Sequence, residues 1–156
     1  MKRLHNQLLL FTEIAVGTFA LDQLVKWWIM SVEKKLPFVL IPDIFQIEFF
    51  KNSGIAFSIP LPSISIIPLI LVLLVCGAWY INRELDLRKP LAVVALGLIL
   101  GGTLGNLFDR IRLDYVIDYI SVWKFPVFNI ADAAITVGIG MLILWYGILQ
   151  KTPTVR

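Results

Sequence analysis

Two stretches of eighteen residues without a single charge, 91–108 and 133–150, restrict this chain more than any other feature. Each comes close to the ~20 apolar residues that carry a helix across a bilayer. A third uncharged run, 52–82, holds Pro60 and Pro62, so its helical part is expected to begin after them. A fourth, about 8–30, is interrupted by Glu13, Asp22 and Lys26. Lys2 and Arg3 ahead of an apolar run imitate a cleaved signal peptide. Glu13 breaks that run, however, and Trp27-Trp28 closes it where an interfacial aromatic belt belongs. With 58% of 156 residues hydrophobic and 16% charged, the class is integral membrane rather than soluble. The expected fold is all-α with a small β element. Four transmembrane helices, at about 8–30, 62–82, 91–108 and 132–150, form one domain over 1–156, joined by outer segments 31–61 and 109–131.

The first outer segment is not a span. Phe38-Val39-Leu40-Ile41 and Phe45-Gln46-Ile47-Glu48-Phe49-Phe50 are rich in β-branched and aromatic residues and are separated by Pro42-Asp43. That pattern predicts a small amphipathic sheet on the extracytoplasmic membrane surface. The second outer segment reads as short and irregular, with Pro126 just ahead of the last span. Even-numbered spans place both termini on one side, and the basic count is seven on that side against six on the other. The dense loop around Arg83, Arg88 and Lys89 turns this near-tie toward cytoplasmic termini, with Trp79-Tyr80 and Trp145-Tyr146 as an inner belt. A net charge of +3 without a basic, aromatic-interleaved run gives no reason to expect nucleic acid. Cys76 is alone, so no internal disulfide can form, and no His/Cys cluster stands ready for a metal.

Against this apolar background, two acids stand out. Asp118 lies in Val116-Ile117-Asp118-Tyr119-Ile120, and Asp132 lies at the mouth of the last uncharged stretch. An acid beside hydrocarbon is costly unless it is paired, hydrated or used. Two carboxyls brought together can share a proton and activate water, which is the chemistry of an aspartic peptidase. Simpler roles exist for each. Asn129 is a good N-cap and Asp132 three residues later suits the helix dipole, while Asp118 could pair with Arg110 or Arg112.

The third span carries Gly97, Gly101 and Gly105 at four-residue spacing, a stripe that lets helices approach closely. Gly102, Asn106 and Arg110 share the adjacent face, either lining a polar cavity that binds a carbonyl or head-group, or simply packing around an interfacial arginine. Asp22 and Lys26 can pair on one face of the first helix. Glu13 does not share that face. Gly54 suggests a turn in Asn52-Ser53-Gly54, where Asn52 is a turn former or a substrate ligand.

Taken in order, these segments resemble the bacterial lipoprotein signal peptidase (signal peptidase II) family along nearly the whole chain. The resemblance is carried by Asp22-Gln23-Leu24-Val25-Lys26, by Asn52-Ser53-Gly54-Ile55-Ala56-Phe57-Ser58 and by 101–110 (GGTLGNLFDR). It continues in Val116-Ile117-Asp118-Tyr119 and in 125–133 (FPVFNIADA). It implies a catalytic dyad of Asp118 and Asp132, surrounded by Asn52, Gly54, Asn106, Arg110 and Asn129 and supported by Asp22 and Lys26. It further implies a diacylglyceryl-modified prolipoprotein substrate cut on the amino side of its lipidated cysteine, in the bacterial cytoplasmic membrane. No cofactor is implied. Membrane lipid is the expected surrounding and a monomer the expected state. The alternatives are a small transporter or proton-conducting protein using the same acids, and a non-catalytic scaffold that associates through the glycine stripe. A transporter predicts acids near mid-span and often a repeated half, whereas both aspartates flank spans and no repeat is visible.

Overall fold

The computed structural model describes residues 2–54, 63–84 and 89–145. The elements run α1 (Lys2–Val32), a short 3-10 turn (Glu33–Lys35), β1 (Phe38–Ile41), β2 (Phe45–Asn52), α2 (Ser63–Glu84), α3 (Pro90–Leu113), β3 (Val116–Val122) and α4 (Ile130–Leu144). The chain is mostly helical with one small antiparallel sheet, as the apolar runs and the strand-like outer segment predict. Among the described residues, α1 and α3 are long and apolar enough to cross a membrane. The apolar part of α2, Ile67–Gly77, and α4 to Leu144 are shorter. Residues 146–150 of the last expected span, Arg88 of the basic loop and 55–58 of the second motif lie outside the described residues.

The helix α3 sits between α1 and α4, and glycine explains how closely. A Cβ on Gly101 would stand 2.5 Å from the Ala15 carbonyl oxygen of α1, and one on Gly102 would stand 2.5 Å from the Ala131 carbonyl oxygen of α4. In lipid, where apolar surface gives no drive for association, backbone approach of this kind is what packing has to work with. Pro90 at the first turn starts α3, and Asp114 in a left-handed conformation (φ 63°) stops it, with Arg110 and Arg112 in the last turn at the negative end of the dipole.

β1 and β2 form a hairpin whose turn contains Asp43 at φ 58°, a conformation aspartate tolerates. The segment after α3 corrects the sequence expectation. Instead of an irregular outer segment from 109 onward, the helix continues to Leu113 and residues Val116–Val122 form β3, giving sheet order β1-β2-β3. Pairing Asn52 with Val116 and Phe50 with Asp118 puts these four residues on one face of the sheet. Ile29, Ile117 and Tyr119 form a small core beneath it. Trp145 is buried rather than part of an exposed belt, while Trp27 and Trp28 are exposed at the far end of α1. Glu13 lies on the exposed side of α1.

Candidate active site

Asp118 is almost completely buried on β3, yet both of its oxygens are occupied. Asn52 Nδ2 donates to Oδ2 at 2.8 Å and Asn129 Nδ2 donates to Oδ1 at 2.7 Å. Burial pushes its pKa up to about 7, and the nearby Asp132 charge adds to the rise, outweighing the two asparagine bonds that favour the carboxylate.

Asp132 occupies the third position of α4, where it completes a capping box with Asn129, the expected N-cap. Asn129 Oδ1 accepts the Asp132 amide at 2.9 Å, and Asp132 Oδ2 accepts the Asn129 amide at 3.2 Å. The other oxygen of Asp132 accepts from Asn106 Nδ2 at 2.7 Å. The carboxyl thus sits at the N-terminal end of α4, bonded to a backbone amide and to Asn106. Capping and participation in the site are therefore one arrangement, not two competing ones.

Asn106 and Asn129 join the halves. Asn129 Nδ2 also lies 3.1 Å from Asn106 Oδ1, which in turn accepts from Lys26 Nζ at 3.0 Å. Lys26 pairs with Asp22 at 2.8 Å, the i,i+4 contact expected from spacing, and equally at 2.8 Å with Asp109. Gln23 Nε2 braces the same cluster, 3.1 Å from Asp22 Oδ2 and 3.1 Å from Asp109 Oδ1. Arg110 is buried, with one guanidinium nitrogen on the Gly54 carbonyl at 3.1 Å and another on the Asn106 carbonyl at 3.3 Å. Gly54 donates its amide to Asn52 Oδ1 at 3.0 Å, so the 52–54 turn is held to both Asp118 and Arg110.

The nine residues singled out from sequence are thus gathered into one hydrogen-bonded set. Asp118, Asp132, Asn52, Asn106 and Arg110 line a cavity of about 510 Å³. Its remaining wall is apolar, with Phe50, Phe125, Phe128 and Ile135 among the lining residues. Asn129, Asp22 and Lys26 stand behind this wall. Sequence reading did not assign Asp109 or Gln23. Their only local signal is three-residue spacing from Asn106 for one and adjacency to Asp22 for the other. Their partners lie more than eighty residues away in sequence for Gln23 with Asp109.

The arrangement can do acid–base work on a bond placed in the cavity, with one carboxyl poised to hold a proton and one held at a helix end. Comparison with known proteins agrees on family. The family model described as Signal peptidase (SPase) II matches residues 14–148. A lipoprotein signal peptidase of Dehalococcoides mccartyi is 42% identical over 149 residues, covering 89% of each chain. One from Symbiobacterium thermophilum is 33% identical over 148 residues, covering 90% of this chain and 96% of that protein. A solved bacterial membrane enzyme superposes with a TM-score of 0.80 at 26% identity, covering 97% of this chain and 92% of that one. These matches span the elements that build the cavity as well as the helices around it, and the chain belongs to the signal peptidase II family of membrane aspartic peptidases.

Proposed function

We propose that this chain removes the signal peptide from diacylglyceryl-modified prolipoproteins, cutting on the amino side of the lipidated cysteine, with Asp118 and Asp132 as the catalytic dyad. The observation that carries the reading is a single cavity lined by both aspartates, of which Asp118 has its pKa pushed up to about 7. Protonated Asp118 donates to the scissile carbonyl, while ionised Asp132 at the start of α4 takes a proton from the attacking water. The proton belongs to the pair, and the two roles exchange as the tetrahedral intermediate collapses. Arg110 directs two bonds to backbone carbonyls. A guanidinium carries five N–H donors, so further ones remain for a substrate carbonyl. The apolar wall of Phe50, Phe125, Phe128 and Ile135 suits residues next to a lipid-modified cysteine.

In the membrane, α1 to α4 serve as four spans, with both termini cytoplasmic and the sheet and dyad at the extracytoplasmic surface of the cytoplasmic membrane. Lipid surrounds a monomer. The 22 residues of α2 reach about 33 Å at ~1.5 Å per residue, enough to span. Cysteines placed at Ser63 and Asn82 in a Cys76→Ala background test the orientation. Labelling from outside intact cells is expected at Ser63, and labelling at Asn82 alone would reverse it.

The functional test uses the purified protein with one precursor prepared with and without the diacylglyceryl group. Mass spectrometry should find cleavage before the lipidated cysteine and little cleavage of the unmodified precursor. Equal cleavage of both would remove lipid recognition from the proposal, and cleavage of neither would remove the activity.

A further inference from the structure

Behind the cavity wall lies a cluster that the chemistry described above does not use. Asp22, Lys26 and Asp109 are each no more than 2% exposed. Lys26 spends its three N–H donors on Asp22, Asp109 and Asn106, at 2.8, 2.8 and 3.0 Å. Each carboxylate of this cluster also accepts one backbone amide. Asp22 Oδ1 accepts from Ala131 at 3.0 Å, and Asp109 Oδ2 accepts from Ile117 at 3.3 Å. Ala131 immediately precedes Asp132, and Ile117 immediately precedes Asp118. The same relation therefore holds on both sides. One carboxylate grips the backbone one residue before each aspartate of the dyad, and a single ammonium holds the two grips together.

We propose that the Asp22–Lys26–Asp109 cluster acts as a calliper that sets the separation of Asp118 and Asp132, with Asp109 the positioning residue for the Asp118 side. The proposal rests on the dyad reading above. Asp118 rides on β3 and Asp132 on α4, elements joined by only a short loop. A backbone bridge joins β3 to the approach to α4, with the Ile120 amide on the Phe128 carbonyl at 2.8 Å and the Phe128 amide on the Ile120 carbonyl at 3.0 Å, but it holds neither Ile117 nor Ala131, the residues directly ahead of the two aspartates. The cluster holds those two positions from α1 and α3, helices that glycine brings into close contact. Gln23 reinforces it by bridging Asp22 and Asp109 and donating to the Gly105 carbonyl at 3.2 Å. A dyad that shares a proton and a water depends steeply on geometry, and a misplacement of ~1 Å costs on the order of a hundredfold in rate.

Asp109→Glu is the first test. It keeps a negative charge beside Lys26 but carries the carboxylate one methylene farther out, so it can neutralise the ammonium without gripping Ile117 in the same place. A melting temperature and KM close to wild type are expected, with kcat lower by about tenfold or more. If the cluster merely compensates buried charge, the glutamate restores kcat, and full turnover overturns the proposal. The second variant replaces the Val116–Ile117 amide by an ester, which removes the N–H donated to Asp109 and leaves every side chain in place. A lowered kcat with unchanged KM is expected there too, whereas wild-type kcat in the ester overturns the proposal even if Asp109→Glu does not fold. Asp118→Asn is measured alongside. Activity in Asp118→Asn counts against the dyad itself, and an inactive Asp118→Asn beside a fully active ester counts against the calliper alone.

Discussion

Asn129 binds Asp118 through its side-chain nitrogen at 2.7 Å while its side-chain oxygen caps the helix that carries Asp132. One residue thus caps a helix with one end of its amide and holds Asp118 with the other, the nitrogen that also reaches Asn106 and the Ile117 carbonyl. Serine caps helices about as well as asparagine but cannot reach Asp118 with an N–H donor. Asn129→Ser keeps the cap but removes the Nδ2 donor from Asp118, Asn106 and the Ile117 carbonyl, so it is expected to lower the melting temperature and also to lose at least about tenfold in activity per folded molecule, the scale of one charge-assisted hydrogen bond at ~1.5–3 kcal/mol. Thermal unfolding and specific activity on the same detergent preparation check this.

The pH behaviour follows from Asp118. Its folded-state pKa is raised from 3.8 to about 7, so the native protein holds a proton that the unfolded chain has released over that window. The stability contributed by neutral Asp118 is complete below about 4 and is lost as pH rises toward 7. Melting temperature should fall across that interval in the wild type and fall less in Asp118→Asn. The kcat/KM of the wild type should decline as pH rises through about 7, since the general acid must begin protonated.

Several parts of this arrangement were legible in the residues. The strands at 38–41 and 45–50 announce themselves by β-branched and aromatic content, the N-cap by Asn129 with Asp132 three residues on, and the Asp22–Lys26 pair by its four-residue spacing. β3 was not read, although Val116, Ile117, Tyr119, Ile120 and Val122 favour a strand. Asp118 among apolar neighbours and Pro126 just ahead of the last span point to a loop, and the partner that makes it a strand, β2, lies more than sixty residues earlier. Asp109 enters the sequence only as a member of the 101–110 segment, beside Arg110. Its meaning depends on Lys26 and Ile117, one on a distant helix and the other on the strand that went unread. Local periodicity carries helix faces and caps well, but it carries no information about which buried charges meet across elements.

Glycine contacts separate packing from positioning. Gly17 has open space around its missing Cβ, so Gly17→Ala should be neutral or slightly stabilising in a helix. At Gly102 the added methyl would press on the Ala131 carbonyl, one residue from Asp132, and overpacking of this kind costs ~1–3 kcal/mol. Gly102→Ala is expected to lower both the melting temperature and the activity per folded molecule. A loss of stability without loss of specific activity would detach Gly102 from the site.

Arg110 offers a similar contrast. Its two bonds to the Gly54 and Asn106 carbonyls tie the 52–54 turn to α3 at the edge of the cavity. Arg110→Ala should reduce turnover by about tenfold or more, well beyond its effect on thermal stability. A large melting shift with unaltered specific activity would mark it as an anchor only.

The most direct measurement is the cleavage rate of a diacylglyceryl-modified precursor by purified Asp118→Asn and Asp132→Asn. Each amide preserves the shape of the side chain and one of its two accepting oxygens but cannot exchange a proton with water or substrate. Both variants should fold, with melting temperatures near that of the wild type, and neither should release product. Near-normal turnover by either one would contradict a mechanism in which the two aspartates share the work.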